Sequence, residues 1–304
     1  MLRGSLLAAA LLPLLGLGSG AGHVRNGRIA YVHVGNGKRF QIYTVTATGA
    51  HRHPLTASHR YSSYEPAYAP RGQRIAFVRT YKQSDLWTMN ADGSRKRNLT
   101  STAHVDEIAP AWSPGGKELA FAVESPAALQ GIWVVGVDGQ GSRPVTNRDD
   151  NHPSWSPDGS TIAFQRYDAA TQVDSVLVVP AGGTTTTLSG GPAVSALDPA
   201  WSPDGSHILF VSDRPDMFQL DLWVMSADGG NVQRVTNTPN RDEGGAAWSP
   251  DGRRIVYSGN GSFRGESSSQ LYVANADGTN RHALTHACGD GAWVNEEPTW
   301  QPLS

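Results

Sequence analysis

The stretch Trp155-Ser156-Pro157-Asp158-Gly159, followed by Ile162-Ala163-Phe164, recurs along the chain, and that recurrence limits the fold more than any other feature. Pro157 presets φ for a tight turn, Asp158 suits the next position, and Gly159 supplies the positive φ that lets two antiparallel strands fold back. Further copies are Trp112-Ser-Pro-Gly-Gly116 with Leu119-Ala-Phe121, Trp201-Ser-Pro-Asp-Gly205 with Ile208-Leu-Phe210, and Trp248-Ser-Pro-Asp-Gly252 with Ile255-Val-Tyr257. A looser one is Tyr68-Ala-Pro-Arg-Gly72 with Ile75-Ala-Phe77.

A second hairpin follows each first one. Leu86-Trp87 leads through Ala91-Asp92-Gly93 to Thr100, Leu222-Trp223 through Ala227-Asp228-Gly229 to Thr236, and further copies start at Ile132-Trp133, Val176-Leu177 and Leu271-Tyr272. Each repeat therefore holds four strands. The aromatic before the first turn falls at Tyr68, Trp112, Trp155, Trp201, Trp248 and Trp300, at separations of 44, 43, 46, 47 and 52 residues. Four strands at that period predict the blades of a β-propeller. Eight of the nine Trp occupy equivalent positions, which gives them a role in blade-to-blade packing.

The ends set the blade number. Asn26-Gly27-Arg28-Ile29-Ala30-Tyr31 matches the second half of a first hairpin, and no first strand precedes it. Glu297-Pro298-Thr299-Trp300 is a first strand with no second half, so the two termini build one blade. The expected fold is all-β: a six-bladed propeller of four-stranded antiparallel blades, its ring closed by pairing the N- and C-terminal strands.

Arg3, the apolar run from Leu6 to Leu17 and the small residues Ser19-Gly20-Ala21 read as a signal peptide over 1–21, leaving 22–304 as a single propeller domain. The expected location is periplasmic or secreted, with no membrane span after cleavage. Without Arg3, 24 basic residues face 27 acidic ones, a net charge of −3 that gives no reason to expect nucleic-acid binding. The basic run Arg95-Lys96-Arg97 reads as a solvated outer edge. A single Cys288 excludes an internal disulfide.

The repeated Trp-Ser-Pro-Asp-Gly, the Ser212-Asp213-Arg214 after a second strand and the Ala-Asp-Gly hairpins at 91–93, 227–229 and 276–278 resemble the propeller of TolB and its relatives. The resemblance implies a periplasmic, non-catalytic propeller that binds envelope proteins and helps maintain the outer membrane. The sequence as read shows no counterpart of the α/β domain that precedes the TolB propeller, and a TolA-type contact made through the TolB N-terminus is therefore not part of the expectation. Similar blades also occur beside the hydrolase domain of prolyl oligopeptidase-like enzymes and in oligogalacturonate lyases.

One rim of such a ring carries the short Pro-Asp-Gly and Asp-Gly turns. The other carries loops of varied length, the longest being 258–269, 165–174 and 286–297. Connectors entering the innermost strands on this second rim contain Glu65, Asp106, Glu107, Asp149, Asp150, Asp198, Asp242, Glu243, Glu296 and Glu297. Every blade thus brings a carboxylate towards the channel mouth, an arrangement that favours an envelope protein, a basic peptide segment or a divalent cation. The competing role for each acid is to cap its loop by bonding backbone N–H groups. Trp293, the one Trp outside the repeat positions, joins the expected contact residues.

No Gly-x-Ser-x-Gly elbow occurs, and no catalytic residue is assigned. No cofactor is expected apart from a cation at the mouth. His104 and His152, in adjacent connectors, are weak candidates for a metal site, as is His286 in the last; these would suit the alternative of a carbohydrate-active or metal-dependent enzyme of the oligogalacturonate-lyase kind. The chain reads as a monomer.

Overall fold

The computed structural model describes residues 24–35, 39–189, 194–213, 219–263, 266–285 and 293–303, with the backbone alone at 35, 261–263, 266–267 and 293. The expected signal segment, Cys288 and His286 lie outside the described residues.

Six four-stranded antiparallel sheets form the ring. Blade 1 pairs Trp293–Leu303 with Arg25–Gly35 and continues through Gln41–Val45 to His53–Pro54, so the C-terminal strand closes the ring from its innermost position. The innermost strands of blades 2 to 6 are Ser62–Tyr68, Asp106–Trp112, Asp150–Trp155, Ala196–Trp201 and Glu243–Trp248. Blade number and closure therefore agree with the repeat.

The repeated turn is held by its own side chains. Ser156 Oγ donates to Asp158 Oδ1 at 2.5 Å and accepts from Thr161 N at 3.0 Å, and the same box recurs at Ser202, Asp204 and His207 and at Ser249, Asp251 and Arg254. Hydrogen bonds from the Ser156 hydroxyl, the Ser160 N–H and the Ser160 hydroxyl hold the exposed Asp158 carboxyl down at about 2. Ser and Asp are thus fixed by turn chemistry.

The core lies between blades. Tyr31, Phe77, Phe121, Phe164, Phe210 and Tyr257, one from the second strand of each blade, are fully or almost fully buried. Each contributes roughly 1.5–3 kcal/mol by leaving water. Trp112 Nε1 donates to Ala67 O at 3.0 Å and Trp248 Nε1 to Ala200 O at 3.1 Å, which ties innermost strands of neighbouring blades together.

Two expected loops are strands instead. Arg254–Phe263 pairs with Glu266–Asn275 out to Phe263 and Glu266, and Thr161–Asp168 pairs with Val173–Pro180 out to Asp168 and Val173. Once two strands are in register, each further residue pair adds ladder hydrogen bonds without a longer loop to close, so the arms of these hairpins extend beyond the blade.

Candidate binding site at the channel mouth

Each innermost strand carries a bulge at the same place. In blade 2 the register runs from Tyr64 and Val78 to Ala67 and Ala76, so Glu65 and Pro66 together face the single residue Phe77. The equivalent residues are Glu297, Glu65, Ala109, His152, Asp198 and Gly245, one per blade, and all have φ between +48° and +52°. Five of the six precede proline. Non-glycine residues are uncommon in this region, and five such residues at one repeat position mark a shared constraint.

All six line one cavity of about 470 Å³, together with Glu296, Ser258 and Asn260. Their backbone N–H groups must find acceptors; neighbouring carboxylates provide three of them, and Asp198 N donates to Gln165 Oε1 at 3.3 Å. Glu65 N donates to Glu297 Oε2 at 2.6 Å, Ala109 N to Glu65 Oε2 at 2.6 Å, and Gly245 N to Asp198 Oδ2 at 3.5 Å. Ala109 has no acceptor to offer the next blade, so His152 N bonds Asn151 Oδ1 at 2.7 Å instead. The His152 ring lies against Asp198, with Nε2 3.5 Å from Oδ1.

Glu65, Glu296 and Glu297 are held above the usual carboxylate range. Burial raises Glu65 first, and the charge of Glu297 raises it further; burial is also the leading cause for Glu297 and for Glu296. The hydrogen bonds they accept oppose the shift without cancelling it.

The ten acids expected around the mouth divide by position. Glu65, Asp198, Glu296 and Glu297 line the cavity. Asp106 and Asp242 accept from Ser84 N at 2.8 Å and Leu220 N at 3.0 Å, capping loops as carboxylates often do. Glu107 takes the Thr100 hydroxyl, Asp150 grips Arg166 inside blade 4, and Glu243 is buried with Arg281 3.9 Å away. Asp149 is exposed. Trp293 pairs through its backbone with Gly35 at the end of blade 1, its side chain lying outside the described residues.

His152 lines the cavity, whereas His104 is exposed on its connector with its N–H bonded to Gln83 Oε1 at 3.1 Å. Among the described residues no three His, Cys, Asp or Glu side chains gather as a metal site would require. Sequence reasoning missed the bulge as the selecting element. Its visible trace is the residue before proline in Glu65-Pro66, Ala109-Pro110, His152-Pro153, Asp198-Pro199 and Glu297-Pro298.

Fold and site together define a closed six-bladed propeller with a part-acidic channel mouth. The model of the TolB β-propeller domain matches residues 19–303, and the chain belongs to that family. Among solved structures it is similar to TolB from Acinetobacter baumannii, with TM-score 0.73, 22% identity, and coverage of 90% of this chain and 66% of that one. A TolB structure from Agrobacterium tumefaciens gives TM-score 0.70 and 18% identity over 93% of this chain and 100% of the other. Oligogalacturonate lyase from Vibrio parahaemolyticus gives TM-score 0.57 and 14% identity over 83% of this chain and 73% of the other. No curated protein matches the chain. Identities this low carry the fold alone.

Proposed function

We propose that this propeller acts in the cell envelope as a non-catalytic scaffold that takes a basic segment of a partner protein at the channel mouth. The observation that carries the reading is the set of four carboxylates, Glu65, Asp198, Glu296 and Glu297, around one cavity. Burial holds three of them above the usual carboxylate range, so an arriving ammonium or guanidinium group relieves an existing cost as well as adding attraction. Membership of the TolB family supports a periplasmic or secreted location, as does the leader-like sequence of 1–21. Among the described residues no helix is long and apolar enough to cross a membrane.

The test is affinity capture from an envelope extract with the chain 22–304, beside a variant in which Glu65, Asp198, Glu296 and Glu297 are all replaced by Gln. The reading expects a protein retained by the parent and lost by the variant. Equal retention by both removes the channel mouth from the function. Turnover of an oligogalacturonate by the purified chain would move the reading to the lyase-like enzyme.

A further inference from the structure

One position in each blade pairs a residue at the start of the innermost strand with one near the end of the second strand. In blade 4 the pair is Asp150 and Arg166, joined two-toothed with Nε to Oδ1 at 2.6 Å and Nη2 to Oδ2 at 2.8 Å. In blade 1 it is Asn295 and His33, with Oδ1 and Nδ1 2.9 Å apart. In blade 2 it is Ser63 and Arg79. The arginine is kept there and the carboxylate is missing.

Both atoms that would meet are left over: Arg79 Nε and Ser63 Oγ are buried without a hydrogen-bond partner. Asp85 is Arg79's cross-strand neighbour, but its carboxylate accepts from Gln83 Nε2 at 3.1 Å and Asn98 Nδ2 at 3.2 Å. Among the described residues no carboxylate pairs with Arg79. Its guanidinium instead stacks 4.4 Å from the Trp87 ring and 5.4 Å from Tyr61. Arg60 lies 4.4 Å over Tyr81 and 5.5 Å over Tyr61, and the two tyrosines meet edge to face at 5.7 Å. Tyr81 is 49% exposed, and Lys82 beside it is exposed too. Tyr81 lies between the second and third strands of blade 2, and Arg60 and Tyr61 lie in the connector entering that blade. All three are therefore on the channel-mouth rim.

We infer that the face of blade 2 around Arg79 is a binding subsite for a carboxylate side chain of an acidic peptide segment, with the Arg79 guanidinium as its anchor and Arg60, Tyr61 and Tyr81 beside it. The chain's own solution at the same position in blade 4 is an aspartate, which sets the chemistry of the occupant. Arginine and tyrosine around a half-buried anchor are also the residues that dominate protein interfaces. The inference rests on the proposed reading that this rim takes protein, and it extends that reading: a partner with basic residues over the channel and acidic ones over blade 2 fits the rim.

The experiment measures fluorescence anisotropy of a labelled hexaglutamate peptide against the purified chain, the variants Ser63→Asp, Arg79→Gln and Arg60→Gln, and inorganic phosphate as competitor. Ser63→Asp supplies the missing carboxylate from within. It is expected to weaken peptide binding by about tenfold or more, the scale of a lost charge-assisted pair, while the melting temperature holds or rises. Arg79→Gln is expected to weaken binding comparably, and Arg60→Gln by less. Equal affinity for parent and Ser63→Asp, or no binding to the parent, overturns the assignment. So does phosphate displacing the peptide far more effectively than free glutamate, added as a second competitor, does. Because this readout needs no extract and no channel carboxylate, its failure is distinguishable from failure of the envelope-capture test.

Discussion

Replacing both Glu65 and Glu297 by Gln tests whether the channel carboxylates are caps or held charges. Both accept backbone N–H groups at 2.6 Å, and a Gln carbonyl oxygen keeps that bond. What the substitution removes is the charge. An acid whose pKa is raised on folding binds its proton more tightly in the folded chain than in the unfolded one. Stability therefore falls as pH rises above the ordinary glutamate value of 4.5, and levels off above the raised folded values. Each unit of displacement is worth about 1.4 kcal/mol. Because both side chains remain part-exposed along the cavity and keep their N–H bonds, the net expectation for the pair is about 1–3 kcal/mol. The Gln/Gln variant should match the parent near pH 4 and exceed it at pH 8, with a gain of about 2–4 °C in melting temperature per kcal/mol. Thermal denaturation across this pH range measures the gap. A variant less stable than the parent at pH 8, or a gap independent of pH, refutes the reasoning and returns the two acids to a capping role.

Two further perturbations address the frame that holds the site. Asp150→Ala leaves Arg166, with only 17% of its side chain exposed, unpaired within blade 4, and should cost about 3–5 kcal/mol in chemical denaturation; adding Arg166→Met should recover much of the loss. Gly72→Ala should weaken ring closure by about 2–4 kcal/mol, because φ is +65° and the new Cβ would fall 2.0 Å from Pro302 O of the closing strand. Gly115→Ala is its control in the blade 3 turn, where a Cβ meets nothing within 4 Å, and should be nearly neutral.

The blades were legible because the turn residues do local work: Ser156, Pro157, Asp158 and Gly159 form a self-contained box whose chemistry does not depend on neighbouring blades. Closure was legible because Trp300 repeats the marker position without a second strand after it. The acidic mouth was legible only as a set of loops. Asp106, Glu107, Asp198 and Glu297 look alike as connector acids, yet Asp198 and Glu297 reach the cavity as the left-handed residues of their bulges, whereas Asp106 and Glu107 stand three and two residues before the bulge at Ala109 and do not. The unpaired Arg79 was hidden for the same reason. Its difference from Arg166 appears only when Ser63 and Asp150 are placed at the same point of the ladder.

Site-specific photo-cross-linking tests most directly which rim does the work. A benzophenone side chain at Asn260, exposed beside the channel cavity, is compared with one at Gln140, exposed in a third-to-fourth-strand turn on the opposite rim. The account predicts a discrete cross-link to an envelope protein from position 260, absent when Glu65, Asp198, Glu296 and Glu297 are all Gln, and none from position 140. A cross-link from position 140 that survives those substitutions, with none from position 260, would contradict it.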